Sequence, residues 1–166
     1  NFADVFVTAG ILVAASFLFL PALAHSRFAA QSQSCQNNLR QIGVALAGYA
    51  DIHGGYFPQI PLDGNRSYAG IFGPLLRDGT FLSDTAALSC PSSDFARRYK
   101  RWNAPSLVEI DQAREEELVE LRQASGGGYG YSLGWMSGDE YQGPRNLRRP
   151  WFAVVADAPS ENAAGR

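Results

Sequence analysis

Residues 34–58 read SCQNNLRQIGVALAGYADIHGGYFP, and how they are read decides the fold. Cys35, Leu39, Ile42, Leu46 and Tyr49 recur at spacings of 4, 3, 4 and 3, and Phe28 and Ser32 extend the same pattern backward. Residues three and four apart meet on one face of an α-helix, so this is a single packed seam. Gln31, Gln33, Gln36, Asn37, Asn38, Arg40 and Gln41 take the other positions, which leaves the opposite side of this part wet. Gly54 and Gly55 supply residues at which a helix stops, and Pro58 keeps it from resuming. The expected helix seam is Phe28, Leu39, Ile42, Leu46 and Tyr49.

Directly upstream, VFVTAGILVAASFLFLPALA runs from Val5 to Ala24 without an ionisable side chain. At about 1.5 Å per residue these 20 residues match a bilayer core of about 30 Å. A cleavable secretory signal is the competing reading, but it expects a basic stretch first and a shorter apolar core; here Asp4 precedes and an amphipathic helix follows. Pro21 breaks helices in water but is tolerated in a membrane span, where it predicts a kink near the outer end. Charge counting gives no orientation, because no Lys or Arg precedes the span while Arg27 and Arg40 follow it. The expectation is one helix serving two solvents. Residues 1–25 form its transmembrane half, and residues 26–166 form a globular domain that includes the amphipathic half, 26–53.

An apolar N-terminal helix with an acidic residue near its start, a proline near its outer end, then Cys35, Asn37, Asn38, Leu39, Gln41, Ile42 and Gly43, and later LSCPSS, resembles the type IV pilin and type II secretion pseudopilin superfamily. The likeness is closest to the large pilin-like family of Planctomycetes, whose span is followed by a Cys-x-Asn-Asn-Leu-x-Gln-Ile-Gly motif. It is strong over residues 21–58, fair at LSCPSS and GGGYGYSLGW, and weak between. The resemblance implies an α+β fold in which the long helix packs on a small antiparallel sheet. It also implies a single-pass protein of the bacterial inner membrane with its globular domain periplasmic or extracellular. In this register the family's glutamate falls on Asp4, and no cleavage site is visible, so processing by a prepilin peptidase is not expected. The implied assembly residues are Asp4, Phe6, Leu12, Phe17 and Pro21. Asp4 is either an interfacial carboxylate or the partner of a neighbouring subunit's N-terminal amine.

The rest of the chain reads as α+β on its own terms. SYAGIFGPLLRDGTFL predicts a short helix over residues 69–77 closed at Gly79. PSLVEIDQAREEELVELRQASGGG predicts another, with a capping box at Ser106 and Glu109 and a broken stripe of Leu107, Ile110, Leu118 and Leu121. YGYSLGWM alternates as a strand, and WFAVVADA is an apolar run suited to a covered strand.

Cys35 and Cys90 are the only cysteines. In an oxidising compartment such a pair favours a disulfide over two free buried thiols. Zinc is not expected: the two histidines, His25 and His53, do not share ligand spacing with Cys35. Asp139, Glu140 and Asp157 are a weak calcium candidate without the dense ladder of a dedicated loop. GGGYG at residues 126–130 follows a helix and lacks the Gly-Lys-Ser/Thr ending, so it reads as a flexible lead into a strand rather than a phosphate loop. With 14 basic and 16 acidic residues, the formal charge of −2 disfavours a nucleic-acid partner. The cationic Arg97, Arg98, Lys100 and Arg101 are offset by Glu109, Asp111, Glu115, Glu116, Glu117 and Glu120 as solvated surface.

No catalytic order of Ser, His and Asp stands out. The sequence thus points to a non-enzymatic protein without a cofactor or an identified small-molecule substrate. Its expected partners are membrane lipid and copies of itself or other membrane-protein subunits. The competing expectation is the outer domain of a single-span sensor, of the anti-sigma-fusion kind, or an accessory subunit of a larger membrane complex.

Overall fold

The computed structural model describes residues 2–100, 102–149 and 152–158; the side chains at positions 2–5, 7 and 18 lie outside that description. Helix α1 runs from Phe2 to Ile52 and passes through Pro21 without interruption. It ends as the sequence dictates: Gly54 and Gly55 take positive φ (64° and 86°), and the Gly55 amide donates to the Ala50 carbonyl at 2.8 Å.

The second half of α1 is the spine of the core. Cys35, Ile42, Ala45, Leu46 and Ala50 are buried, and Leu39 and Tyr49 are half-buried against the same cluster. Phe28 departs from the expected seam. It is 69% exposed, because the elements that cover the helix reach back only as far as Ser32, so Phe28 continues the apolar surface of the first half.

Across the core from α1 lies helix α2, Phe72–Asp78, entered through a 3₁₀ turn at Ala69–Ile71 and contributing Phe72 and Leu76. It closes at Gly79, as expected, but the left-handed residue is the next one, Thr80 (φ 61°). The Thr80 amide donates to Arg77 O (3.0 Å) and the Phe81 amide to Leu76 O (2.9 Å), the two bonds of a Schellman stop. A β-branched residue pays about 1–2 kcal/mol for that conformation. Thr80→Gly should therefore raise stability by about 0.5–1 kcal/mol after glycine's greater unfolded freedom is subtracted. A higher urea midpoint with an unchanged slope is the expected reading.

A second 3₁₀ turn at Thr85–Leu88 leads to Cys90 and to helix α3, Asp94–Arg98. The expected single helix after Pro105 is two: α4, Leu107–Gln112, and α5, Glu115–Ser125. The Ser106–Glu109 capping box is formed, with the Glu109 carboxylate 2.6 Å from the Ser106 amide. The chain breaks at Ala113 because Asn65, from a distant loop, donates to Ile110 O (2.9 Å) and Ala113 O (3.2 Å), satisfying carbonyls that a continuous helix would have used. The helix restarts at Glu115, where the Glu117 carboxylate accepts from the Arg114 amide (3.1 Å) and from its guanidinium (2.7 Å). Ile110 and Leu118 then pack with Ile71 in a satellite core.

Among the described residues the strands form two small antiparallel sheets rather than one. β1, Tyr129–Tyr131, pairs with β4, Val155–Asp157, while β2, Trp135–Ser137, and β3, Glu140–Gln142, make a hairpin turned at Gly138 and Asp139. In β1 the alternation is as expected: Tyr129 and Tyr131 point into the core and Gly130 out. The run WFAVVADA yields a strand only at its end, where Val155 is half-buried and Ala156 and Asp157 are exposed. Among the described residues β1 is the one neighbour of β4, and two of its three positions are exposed, so the covered position expected for it is not realised there; Trp151 lies outside the described residues. The architecture is α+β, a long N-terminal helix against small antiparallel sheets.

Candidate functional site

The first half of α1 is a naked apolar cylinder. Phe6, Ile11, Leu12, Phe17, Phe19, Leu20 and Leu23 are all exposed, Phe17 by 76%. Ile11, Leu12 and Val13 are consecutive, and at about 100° per residue they spread the apolar surface over about 200° of the helix rather than along one stripe. Removing side chains of this size from water is worth about 1.5–3 kcal/mol each. As a set they rival the whole stability of a typical domain, about 5–15 kcal/mol. Such a surface demands a covering. Among the described residues this is the one helix long and apolar enough to cross a membrane, with a window of mean hydropathy 1.8 and none of it buried. Of the expected assembly residues, Phe6, Leu12 and Phe17 lie on this exposed surface and Pro21 is exposed within it. Asp4 falls in α1, but its side chain is outside the described residues.

Where the cylinder meets the globular part, Cys35 is joined to Cys90 with Cα atoms 4.9 Å apart, 55 positions along the chain. The bond fixes the segment after the second 3₁₀ turn to the spine. Neighbouring contacts reinforce it: Asn38 donates to Ser89 O (3.1 Å), and the Ser92 hydroxyl lies 3.1 Å from Cys90 Sγ and 3.5 Å from Cys35 Sγ. Asn38 departs from the wet side expected for it: three residues beyond Cys35, it shares that helix face and is half-buried against the Ser89 carbonyl.

Tyr129 and Tyr131 close the joint from the sheet side. The Tyr129 hydroxyl donates to Cys35 O (3.4 Å) and that of Tyr131 to Pro58 O (2.8 Å). Burial pushes the Tyr129 phenol up to about 12, and that of Tyr131 higher still. Above about pH 10 the unfolded chain releases phenolic protons that the fold retains. Stability is thus fully present below pH 10 and falls as pH rises towards 12 and beyond. Melting temperatures across that range should drop progressively, and Tyr129→Phe should flatten the fall.

The metal candidates are not assembled. Among the described residues, Asp139, Glu140 and Asp157 do not come within mutual ligand distance; the grouping that does is Cys35, Cys90 and Asp157, whose two sulfurs are bonded to each other. His53 is stacked on Tyr49, with ring centroids 3.7 Å apart, and its Nδ1 lies 2.7 Å from Tyr49 O. His25 is an exposed position of α1. GGGYG proves tight rather than flexible. Gly127 has φ 62°, and a Cβ there would come within 2.0 Å of Leu88 O; a Cβ on Gly126 would meet Gly70 Cα at 2.9 Å. These glycines let α5 turn into β1 against the backbone of its neighbours.

Comparison with known proteins gives no match: no family model, no curated protein and no solved structure matches the chain. The functional reading therefore rests on the helix and its joint.

Proposed function

We propose that the chain is a membrane-anchored, non-enzymatic subunit, pilin-like or pseudopilin-like in role, whose apolar helix packs with copies of itself or with other membrane-protein subunits of the cell envelope. One observation carries this reading. A single unbroken helix has a first half exposed on every side and a second half built into a core and held there by a disulfide. An ordinary anchor needs only the first half. Continuing the same helix into the domain makes the domain's position depend on how the apolar halves pack. The disulfide suits an oxidising compartment, which supports a single pass through a bacterial inner membrane with the domain periplasmic or extracellular.

Asp4 provides the test. A carboxylate carried into an apolar bundle must meet a cation or lose its charge. Asp4→Ala should abolish filament or complex assembly while leaving membrane insertion intact, since the span becomes more apolar. The measurement compares sheared surface filaments with the membrane fraction for both forms in the native host. Equal filament from both removes the pairing role of Asp4. Filament from neither transfers the preference to a single-span sensor or accessory subunit.

A further inference from the structure

Between β3 and β4, residues 145–149 and Phe152 bring three arginines, Leu147 and Phe152 together. This stretch is pinned to the far end of α1: the Asn146 amide donates to Gly55 O (2.7 Å), and the Phe57 amide donates to Pro144 O (3.0 Å). Arg145 stacks over the Tyr56 ring, 4.9 Å from its centroid. Trp135 from β2, itself 48% exposed, meets Phe152 edge to face at 6.3 Å. Arg148, Arg149 and Leu147 complete the rim of a shallow cavity of about 110 Å³. Among the described residues none of these three arginines pairs with a carboxylate; the ion pairs are Arg66–Asp111, Arg77–Asp78, Arg97–Asp94 and Arg114–Glu117. A patch with an aromatic centre and guanidinium groups that no carboxylate pairs is built as an interface, because Arg, Trp and similar side chains carry most of the energy of protein contacts.

The lipid that α1 enters is out of its reach. From Ala24, the end of the apolar run, to Ile52 the helix rises about 42 Å at 1.5 Å per residue.

The chain itself presents the complementary surface. On α5, Glu115, Glu116 and Glu120 are exposed around Val119, which is 55% exposed. Positions 115 and 116 lie four and three residues before 119, so these side chains share one outward face. The remaining charges of α5 are engaged elsewhere: Glu117 with Arg114, and Arg122 over the Tyr68 ring at 5.7 Å. Three carboxylates around an apolar residue thus complement the unpaired guanidinium groups of Arg148 and Arg149 and the Tyr56-stacked Arg145 around an apolar recess, a match that fits paired Arg–carboxylate hydrogen bonds. We infer that the Arg145–Arg148–Arg149 patch docks the acidic face of α5 from a second copy of this chain. Each copy gives one face and receives the other, a head-to-tail contact that propagates into a ring or a filament. The inference rests on the proposed role as an assembling subunit and names a contact between the globular domains.

The test uses the full chain in phosphatidylcholine vesicles, with a photo-crosslinking amino acid at position 119 in one sample and at position 12 in another. The position-119 probe should join two chains and map to residues 133–152. Arg148→Glu with Arg149→Glu should cut that yield at least tenfold, as should Glu116→Arg with Glu120→Arg, and mixing the two variants should restore it. The position-12 probe reports packing of the apolar helices separately and should not respond to these changes. An adduct mapping elsewhere, for instance to residues 94–100, or indifference to the reversals, or no recovery on mixing, overturns the docking. Loss of the position-119 adduct while the position-12 adduct persists overturns it alone; absence of both overturns it together with the assembly role.

Discussion

Ile42→Asp should leave a fragment of residues 27–166 unfolded, whereas the parent fragment is soluble and folded. Ile42 is fully buried at the centre of the α1 seam, in the same core as Phe72, Leu76 and Leu88. An aspartate there loses the apolar side chain and places a carboxylate where no cation waits, a combined cost of about 4–5 kcal/mol or more. That approaches the whole stability of a domain this size, about 5–15 kcal/mol. Leu39→Asp is the graded control. Leu39 is half-buried, so its carboxylate stays partly solvated, and the fragment should fold with a loss of about 1–3 kcal/mol. Circular dichroism with urea titration reads both. A parent-like melt for Ile42→Asp would place the seam against a partner or solvent and dissolve the packing argument.

Removing the disulfide should be nearly as costly. Cys35 and Cys90 close a loop of 55 positions, for which chain entropy gives about 4 kcal/mol. For a domain of this size that corresponds to a fall of roughly 10–15 °C in Tm. Cys35→Ser with Cys90→Ser should show it, and so should the reduced wild-type protein. Peptide mapping without reduction should recover one peptide joining the two residues; two freely alkylated thiols would remove the basis of the prediction.

Features written in neighbouring residues were legible in the sequence. The α1 periodicity, its glycine stop, the short helix ending at Gly79 and the Ser106 capping box all depend on contacts within about five positions, and each appears in the structure. What was not legible depends on distant partners. Phe28 obeys the helical period, but period alone does not tell how far along the helix a covering element extends. The α4–α5 break is set by Asn65, some 45 positions away. The apolar run before Asp157 resembles a central strand, yet sheet neighbours decide whether such a run is covered, and among the described residues β4 has one. The candidate site divides in the same way. The apolar cylinder and the cysteine pair were visible as composition, whereas the tyrosines that close the joint and the arginine patch at the far end become meaningful only once the chain is folded.

The unbroken passage of α1 from the apolar half into the core makes it a shaft with a fixed phase. Helix α1 is continuous from the apolar side chains through Cys35, so a rotation of one end is carried to the other. Inserting one residue between Arg27 and Ser32 turns the domain by about 100° and lifts it by about 1.5 Å, whereas inserting seven returns it to within about 20° of its original bearing, about 10 Å further out. The compass bearing of every face on the globular part is thereby set by the count of residues in the helix, and a neighbour seated against that face reads the count.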